Sequence, residues 1–289
     1  MTPLSLDGAF WRALAQWGSR GPEWFVRTSP PLLGLVACAI ARTPREQVLR
    51  NLRRIRGNRG ALRDTLDTAR TFATYASCLA EILGAGSARG RLPRAVVWGE
   101  PHLQDAVAEG RGVLLVTAHT AGWETVGPLL ARDHALSVMI VEHAERDASA
   151  RAIQDEARRA HGLLVAHAGE DPLAALALAK HLRQGGIVAL QMDRAPRALR
   201  GRPVTMFGSP TRVPEGPLRL AMLTGAPLVP VFAARRGYRR YEIAVCPPIR
   251  VVRDAAPAEL DAAAQELADA MQRFLGAHPT QWFHFTDDS

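Results

Sequence analysis

An imidazole and a carboxylate five residues apart are the first groups in this chain whose spacing suits chemistry: His119 follows the apolar run Val113 to Thr117, and Glu124 follows Gly122. A buried strand over that run delivers His119 at its carboxyl end, where open α/β sheets keep their sites. On a continuous helix five positions turn a side chain by roughly 140°, so the two meet only across an irregular turn, and Gly122 supplies that freedom. A carboxylate so placed orients an imidazole, fixes its tautomer and stabilises the imidazolium. A general base for a hydroxyl or amine nucleophile needs all three. On the residues alone, a strand-end histidine satisfied by the backbone remains the alternative.

Three further segments carry polar groups at comparable places. Ile187 to Leu190 is an apolar run that ends in Gln191, Asp193 and Arg194, which should emerge at the same sheet edge as His119. Arg194 offers a planar fork suited to phosphate, and Asp193 can hold that fork or a substrate hydroxyl. Pro214, Glu215, Gly216 and Pro217 make a rigid turn into an apolar helix bearing Arg219, with backbone donors suited to an anion. Gly225 to Val231 is a fourth block, and Pro230 within it predicts an edge or bulged strand. Glu142, His143 and Glu145 read as an exposed turn after a strand, and no metal site is assigned. The chain has no Gly-x-Ser-x-Gly, His-Glu-x-x-His, Cys-x-x-Cys, Walker or Gly-x-Gly-x-x-Gly pattern, so serine hydrolase, zincin, P-loop and Rossmann readings lack their starting residues.

The elements that must position these groups divide into two stretches. Residues 1–90 read as helices: Phe10, Trp11, Leu14 and Trp17 fall on one helical face, and Gly21 and Pro22 break the pattern. Thr28 to Ala41 carries no charge but has only 14 residues and contains Pro30 and Pro31, short of the roughly 20 needed to cross a bilayer. Thr43, Pro44 and Glu46 predict a capping box opening a helix that bears Arg45, Arg50, Arg53, Arg54 and Arg56. Tryptophans, an uncharged run and an arginine-rich helix in succession suit an anionic membrane surface, while solvated arginines on a soluble domain explain the same residues. A helix over 61–83 follows. From Val96 onward, short apolar runs (Val113 to Thr117, Leu136 to Val141, Leu163 to Val165, Ile187 to Leu190, Leu228 to Phe232, Tyr241 to Val245) alternate with helical patterns, and a helix over 257–276 closes the chain. That rhythm predicts an α/β fold with a mostly parallel central sheet flanked by helices. The expected organisation is N-terminal helices over 1–90 packed on a core over 91–289, as one cooperative domain.

Composition sets the outer bounds. The chain has 289 residues, 47% of them hydrophobic and 22% charged, and a net charge of +8, which excludes wholesale disorder and a multi-spanning membrane protein and favours an anionic partner. Lys180 is the single lysine; a GC-rich coding sequence also produces such an arginine preference. The arginines are dispersed and do not interleave with aromatic residues, so nucleic acid is not expected as a partner. Three cysteines at no metal or redox spacing fit a reducing compartment, and the first residues lack a secretory signal.

Read in order, the four blocks resemble the lysophospholipid and glycerophosphate acyltransferase superfamily, whose first motif is His-x4-Asp/Glu. His119 and Glu124 match that motif, Gly186 through Arg194 the second block, Pro214 through Gly216 the third and Gly225 through Val231 the fourth. Val97 through Leu103, Phe207 through Pro210 and Gln281 through Phe283 are similar to the branch of lipid A late acyltransferases and the mannoside acyltransferases grouped with them. The third block departs from the glycerophosphate enzymes, because Arg219 stands one position later than their arginine. The resemblance implies a glycerol-phosphate-acyltransferase-like fold with an N-terminal membrane-association segment. It implies transfer of a fatty acyl chain from acyl carrier protein or coenzyme A to a hydroxyl of a lipid or glycolipid, most simply a lipid A precursor. A lysophospholipid, a mannoside or a specialised lipid is the alternative acceptor. His119 would be the base and Glu124 its orienting group, backbone N–H groups after His119 would hold the oxyanion, and Gln191, Asp193, Arg194, Glu215, Gly216 and Arg219 would line the acceptor site. No cofactor beyond the acyl co-substrate is implied, and the implied place is the cytoplasmic face of a bacterial inner membrane, attached peripherally or monotopically.

Overall fold

The computed structural model describes residues 22–85, 93–123, 136–143, 162–168, 174–195 and 200–286. The helix expected over Phe10 to Trp17, the carboxylate of Glu124 and Glu145 lie outside them.

Three helices come first: α1 (Glu23–Ile40), α2 (Arg42–Arg56) and α3 (Ala61–Ala85). Pro30 and Pro31 lie inside α1, and no single helix among the described residues is long and apolar enough to cross a membrane; α1 and α2 meet at 98°. The predicted capping box does not form. The break falls at Ala41, Thr43 is already helical, and no side chain caps the start of α2. Pro44 is tolerated there because the first turn's N–H groups have no intrahelical acceptor. Arg45 instead reaches back to the Cys38 and Ala39 carbonyls at 2.8 and 2.7 Å, satisfying the end of α1. α1 packs closely on α3 because Gly34 lies against the backbone of Phe72 and Ala73, where a Cβ would collide. The arginines of α2 are largely spent inside the molecule: Arg53 pairs with Asp64 at 2.7 Å, Arg56 with Asp67 at 2.5 Å, and Arg54 donates to the Met206 carbonyl at 3.0 Å.

The α/β part contains β1 (Arg94–Trp98), α4 (Glu100–Ala108), β2 (Val113–Thr117), β3 (Val138–His143), β4 (Leu164–Ala168), α5 (Ala174–Arg183) and β5 (Ile187–Gln191). It continues through β6 (Gly201–Met206), β7 (Ser209–Pro214), α6 (Gly216–Thr224), β8 (Leu228–Gly237), β9 (Arg240–Val245) and α7 (Pro257–Ala277). Among the described residues the main sheet runs β1-β9-β8-β2-β5-β3-β4. Strands β8, β2, β5, β3 and β4 are parallel, and β9 lies antiparallel to β8. This is the expected mostly parallel sheet flanked by helices. Side-chain alternation divides the core: Leu114, Val116, Val188 and Phe232 join the cluster under α6 and α7, while Val113, Leu115, Ile187 and Val231 join Leu103 and Ala106 of α4.

Two expectations change. β8, with Pro230, is an interior strand between β9 and β2, not an edge, and its register irregularity falls at Arg235 to Gly237, away from the proline. Pro230 is accommodated because the ladder to β9 starts at Val231, and its own carbonyl accepts the Cys246 N–H at 2.8 Å where that ladder ends. The stretch Gly201 to Pro214, to which the sequence assigned no strand, is an antiparallel hairpin of its own, β6–β7. Its tip residues Phe207 and Gly208 have φ of 52° and 70°, the two positive values a primed two-residue turn demands. Arg54 on one side and Gln272 of α7 on the other hold that tip by hydrogen bonds.

Candidate functional site

The register of two neighbouring parallel strands builds the site. Thr117 of β2 pairs with Gln191 of β5, and His119 and Asp193 each stand two residues beyond, at the carboxyl edge. Strands about 4.8 Å apart bring side chains at such matched positions within reach. His119 Nδ1 lies 2.8 Å from Asp193 Oδ1, and the same oxygen accepts the His119 backbone N–H at 3.1 Å. The Asp193 side chain has no exposed surface, whereas that of His119 is 20% exposed. Asp193, expected to face the acceptor, is therefore turned to the imidazole, with its second oxygen taken by the Trp282 indole N–H at 2.9 Å.

Electrostatics keep this carboxyl ionised. Burial opposes its charge, but His119, by charge and hydrogen bond, and then Arg194 and His284 outweigh burial and hold Asp193 well below the usual carboxylate range. An ionised Asp193 accepts from Nδ1–H, which leaves Nε2 of His119 as the lone-pair nitrogen free to take a proton.

The turn after His119 is shaped by Gly122, with φ of +88°, where a Cβ would run into the Tyr241 ring. Trp123, just beyond it, meets the His119 ring edge-on with centroids 6.0 Å apart. Trp123 also lines a partly open apolar pocket with Leu115, Thr117, Ile140, Ala189, Gln191 and Val231. These β2 and β5 positions alternate, so the cavity runs along one sheet face beneath the edge that carries the imidazole.

The remaining predicted residues divide. Gln191 belongs to the cavity wall, and its amide nitrogen is buried with no partner among the described residues. Arg194 donates to the Phe283 carbonyl at 3.1 Å and stands beside Asp193. Glu215 is buried and turned to Arg202 and Arg219, at 2.7 and 2.9 Å; these guanidiniums outweigh its burial and lower its pKa. Gly216 begins α6. Glu215 and Arg219 thus belong to an ion-paired cluster with Arg202 and Asp261. Sequence reasoning counted Trp282 only within the Gln281 to Phe283 resemblance and gave it no place in the site. It also placed Asp193 at the right edge without pairing it to His119; the available signal was that both stand two residues past a strand. No group of three or more potential metal ligands occurs among the described residues.

An ionised carboxylate that holds an imidazole by Nδ1 leaves Nε2 able to accept a proton from a hydroxyl, and an apolar pocket lies along the same two strands. Comparison with known proteins places the chain among acyltransferases. Over 189 residues the chain is 31% identical to a phosphatidylinositol mannoside acyltransferase of Mycobacterium tuberculosis, an alignment covering 65% of this chain and 57% of that protein. It is 30% identical over 242 residues to one of Mycolicibacterium smegmatis, covering 82% and 77%. The chain thus spans somewhat under three fifths of the Mycobacterium tuberculosis relative's length. Residues 5–287 match the family described as bacterial lipid A biosynthesis acyltransferase. With nearly the whole chain inside that match, the protein belongs to the bacterial lipid A biosynthesis acyltransferase family.

Proposed function

We propose that this protein is an O-acyltransferase that moves a fatty acyl group from a thioester, on acyl carrier protein or coenzyme A, to a hydroxyl of a membrane glycolipid. The observation that carries the reading is the His119–Asp193 pair, two residues past Thr117 and Gln191, the strand-end residues that line an apolar pocket. His119 Nε2 takes the proton of the acceptor hydroxyl, and its oxygen attacks the thioester carbon. The tetrahedral adduct then expels the thiolate, which recovers the proton from the imidazolium. The new C–O bond replaces the C–S bond in one ternary complex, with no acyl-enzyme. Asp193 fixes the tautomer and stabilises the imidazolium, and Arg194 is placed to meet an anionic head group. The His-x4-Glu motif keeps Glu124 as a second orienting candidate. The relatives named for phosphatidylinositol mannoside favour a mannoside-type acceptor over a lipid A precursor. Incubating purified protein with labelled acyl thioesters and a panel of phosphatidylinositol mannoside, lipid A precursor and lysophospholipid tests this. Transfer to a sugar hydroxyl is expected, and no transfer to any lipid hydroxyl overturns it.

The acyl chain is assigned to the cavity. Ala189 and Gln191 share one face of β5, and two residues span about 6.6 Å of strand, so a bulky side chain at 189 blocks the cavity below its mouth. Ala189→Phe is expected to lower kcat/KM for the longest donors by about tenfold while sparing short ones, because each excluded methylene forfeits ~0.8 kcal/mol of burial. Competition between donors of different length checks this.

Attachment to the cytoplasmic face of the inner membrane belongs to the same reading. Trp24, Leu32, Val36 and Ile40 form one exposed stripe on α1, and Leu62 and Leu66 another on α3, with Arg27, Arg59, Arg63 and Arg70 exposed on the same helices and their connection. Flotation with vesicles containing anionic phospholipid should carry the protein, and Leu32→Glu with Val36→Glu should release it. Equal flotation of that double variant overturns the assignment.

A further inference from the structure

We propose that Trp282 is a positioning residue for acyl transfer, fixing Asp193 through its indole N–H, and that His284 and Asn51 hold the indole in place. The inference rests on the reading of His119 as the base and Asp193 as the carboxylate that orients it. Asp193 Oδ1 serves His119 twice, through the ring and the backbone, and Oδ2 receives the indole at 2.9 Å. With that third donor in place the carboxylate cannot turn about its last torsion; without it, the oxygen facing the imidazole loses its fixed direction. An indole offers a donor only, so its role in this contact is unambiguous.

The indole is itself held. Trp282 is 4% exposed and stacks on the His284 ring with centroids 5.1 Å apart and planes 10° apart. Asn51 of α2 donates to the His284 carbonyl at 2.9 Å, with the same nitrogen 3.4 Å from His284 Nδ1. Gln47 in turn donates to the Asn51 side-chain oxygen at 3.1 Å. On the main chain, Phe283 N–H donates to the His119 carbonyl at 2.7 Å and Ala121 N–H to the Gln281 carbonyl at 3.0 Å. Arg194 binds the Phe283 carbonyl on the other side. Residues 281–284 are therefore bonded to the turn after His119, to Arg194 and to α2, and Trp282 is the side chain that conveys this support to the dyad. The N-terminal helices, on this account, contribute to the rate as well as to any surface attachment.

Trp282→Phe keeps the ring and its stacking and removes the donor. The variant is expected to lose about tenfold in kcat with KM for the acyl donor within twofold, and to add less than twofold to the loss already caused by Asp193→Asn. A merely structural tryptophan would act equally in both backgrounds. Independently of activity, the proton on His119 Nδ1 should give a downfield resonance in 15N-histidine-labelled protein, absent from His119→Ala and moved or broadened in Trp282→Phe. Unchanged kcat and an unchanged resonance in a folded Trp282→Phe overturn the proposal. If Trp282→Phe does not fold, Asn51→Ala, expected to move the resonance the same way and lower kcat about threefold, decides it, and no change in either overturns it. If the wild type transfers no acyl group, the function reading fails while the resonance still tests the contact.

Discussion

Asp193→Asn is expected to lower the rate of acyl transfer by roughly 10²- to 10³-fold in a protein that still folds, a loss close to that of His119→Ala and not additive with it. The cause lies in the donors that surround the carboxylate. An asparagine placed with its NH2 toward His119 opposes the Nδ1–H and the His119 backbone N–H; flipped, it opposes the Trp282 indole N–H. Either way donor faces donor in a buried site, the imidazole loses its tautomer, and the charge that stabilises the imidazolium is gone. Initial rates on purified variants, with thermal unfolding as a control, measure this. Wild-type activity in a folded Asp193→Asn would dismiss Asp193 as the orienting group and return that role to Glu124. The same pair predicts a pH effect on stability. Because the folded pKa of Asp193 is depressed, its stabilisation is complete above the ordinary carboxylate value of about 3.9 and drains away as pH falls below it. The wild type should lose stability more steeply than Asp193→Asn over that acidic interval.

Periodicity and strand-end placement made the sheet, the edge that carries His119, and the emergence of Asp193 and Arg194 beside it legible in the sequence. The pairing of His119 with Asp193 depends on β5 lying next to β2, a fact of strand order that no local spacing contains. The His-x4-Glu spacing drew attention to the nearest carboxylate in the chain instead. Trp282 was further out of reach: it stands 89 positions beyond Asp193 and arrives through the bridge of Thr120 with Trp282 and the bonds around it. Where tertiary contacts override local rules the reading also failed. Thr43 and Pro44 look like a cap but follow a one-residue break that Arg45 stabilises, and Pro230 looks like an edge signal but occupies the last rung of an interior ladder. The arginines of α2 read as suiting an anionic membrane surface; five carboxylate and carbonyl contacts to α1, α3 and the β6–β7 hairpin absorb most of them.

Glu81→Ala should cost about 3–5 kcal/mol of stability, the characteristic penalty for removing one partner from a buried ion pair. Its carboxylate on α3 is 2% exposed, accepts from Arg235 at 3.0 and 2.6 Å, and takes the Tyr241 hydroxyl at 2.6 Å. Burial drives the Tyr241 hydroxyl well above its usual value and pushes the Cys78 thiol up to about 12, so both stay protonated. Without Glu81, the Arg235 guanidinium is left inside without its carboxylate and the Tyr241 hydroxyl loses that acceptor, and melting should fall by roughly 10 °C for a chain of this size. The loss should also reach the site, because the Tyr241 ring lies against Gly122 in the turn after His119. Replacing the whole cluster separates desolvation from packing. A Glu81→Leu, Arg235→Met and Tyr241→Phe variant removes every unmatched charge and hydroxyl while keeping the ring beside Gly122, and should recover most of the stability lost by Glu81→Ala. Calorimetry on the two variants decides the matter: a triple variant no more stable than Glu81→Ala would mean that the polar contacts themselves, and not the avoidance of an orphaned charge, hold the N-terminal helices onto the sheet.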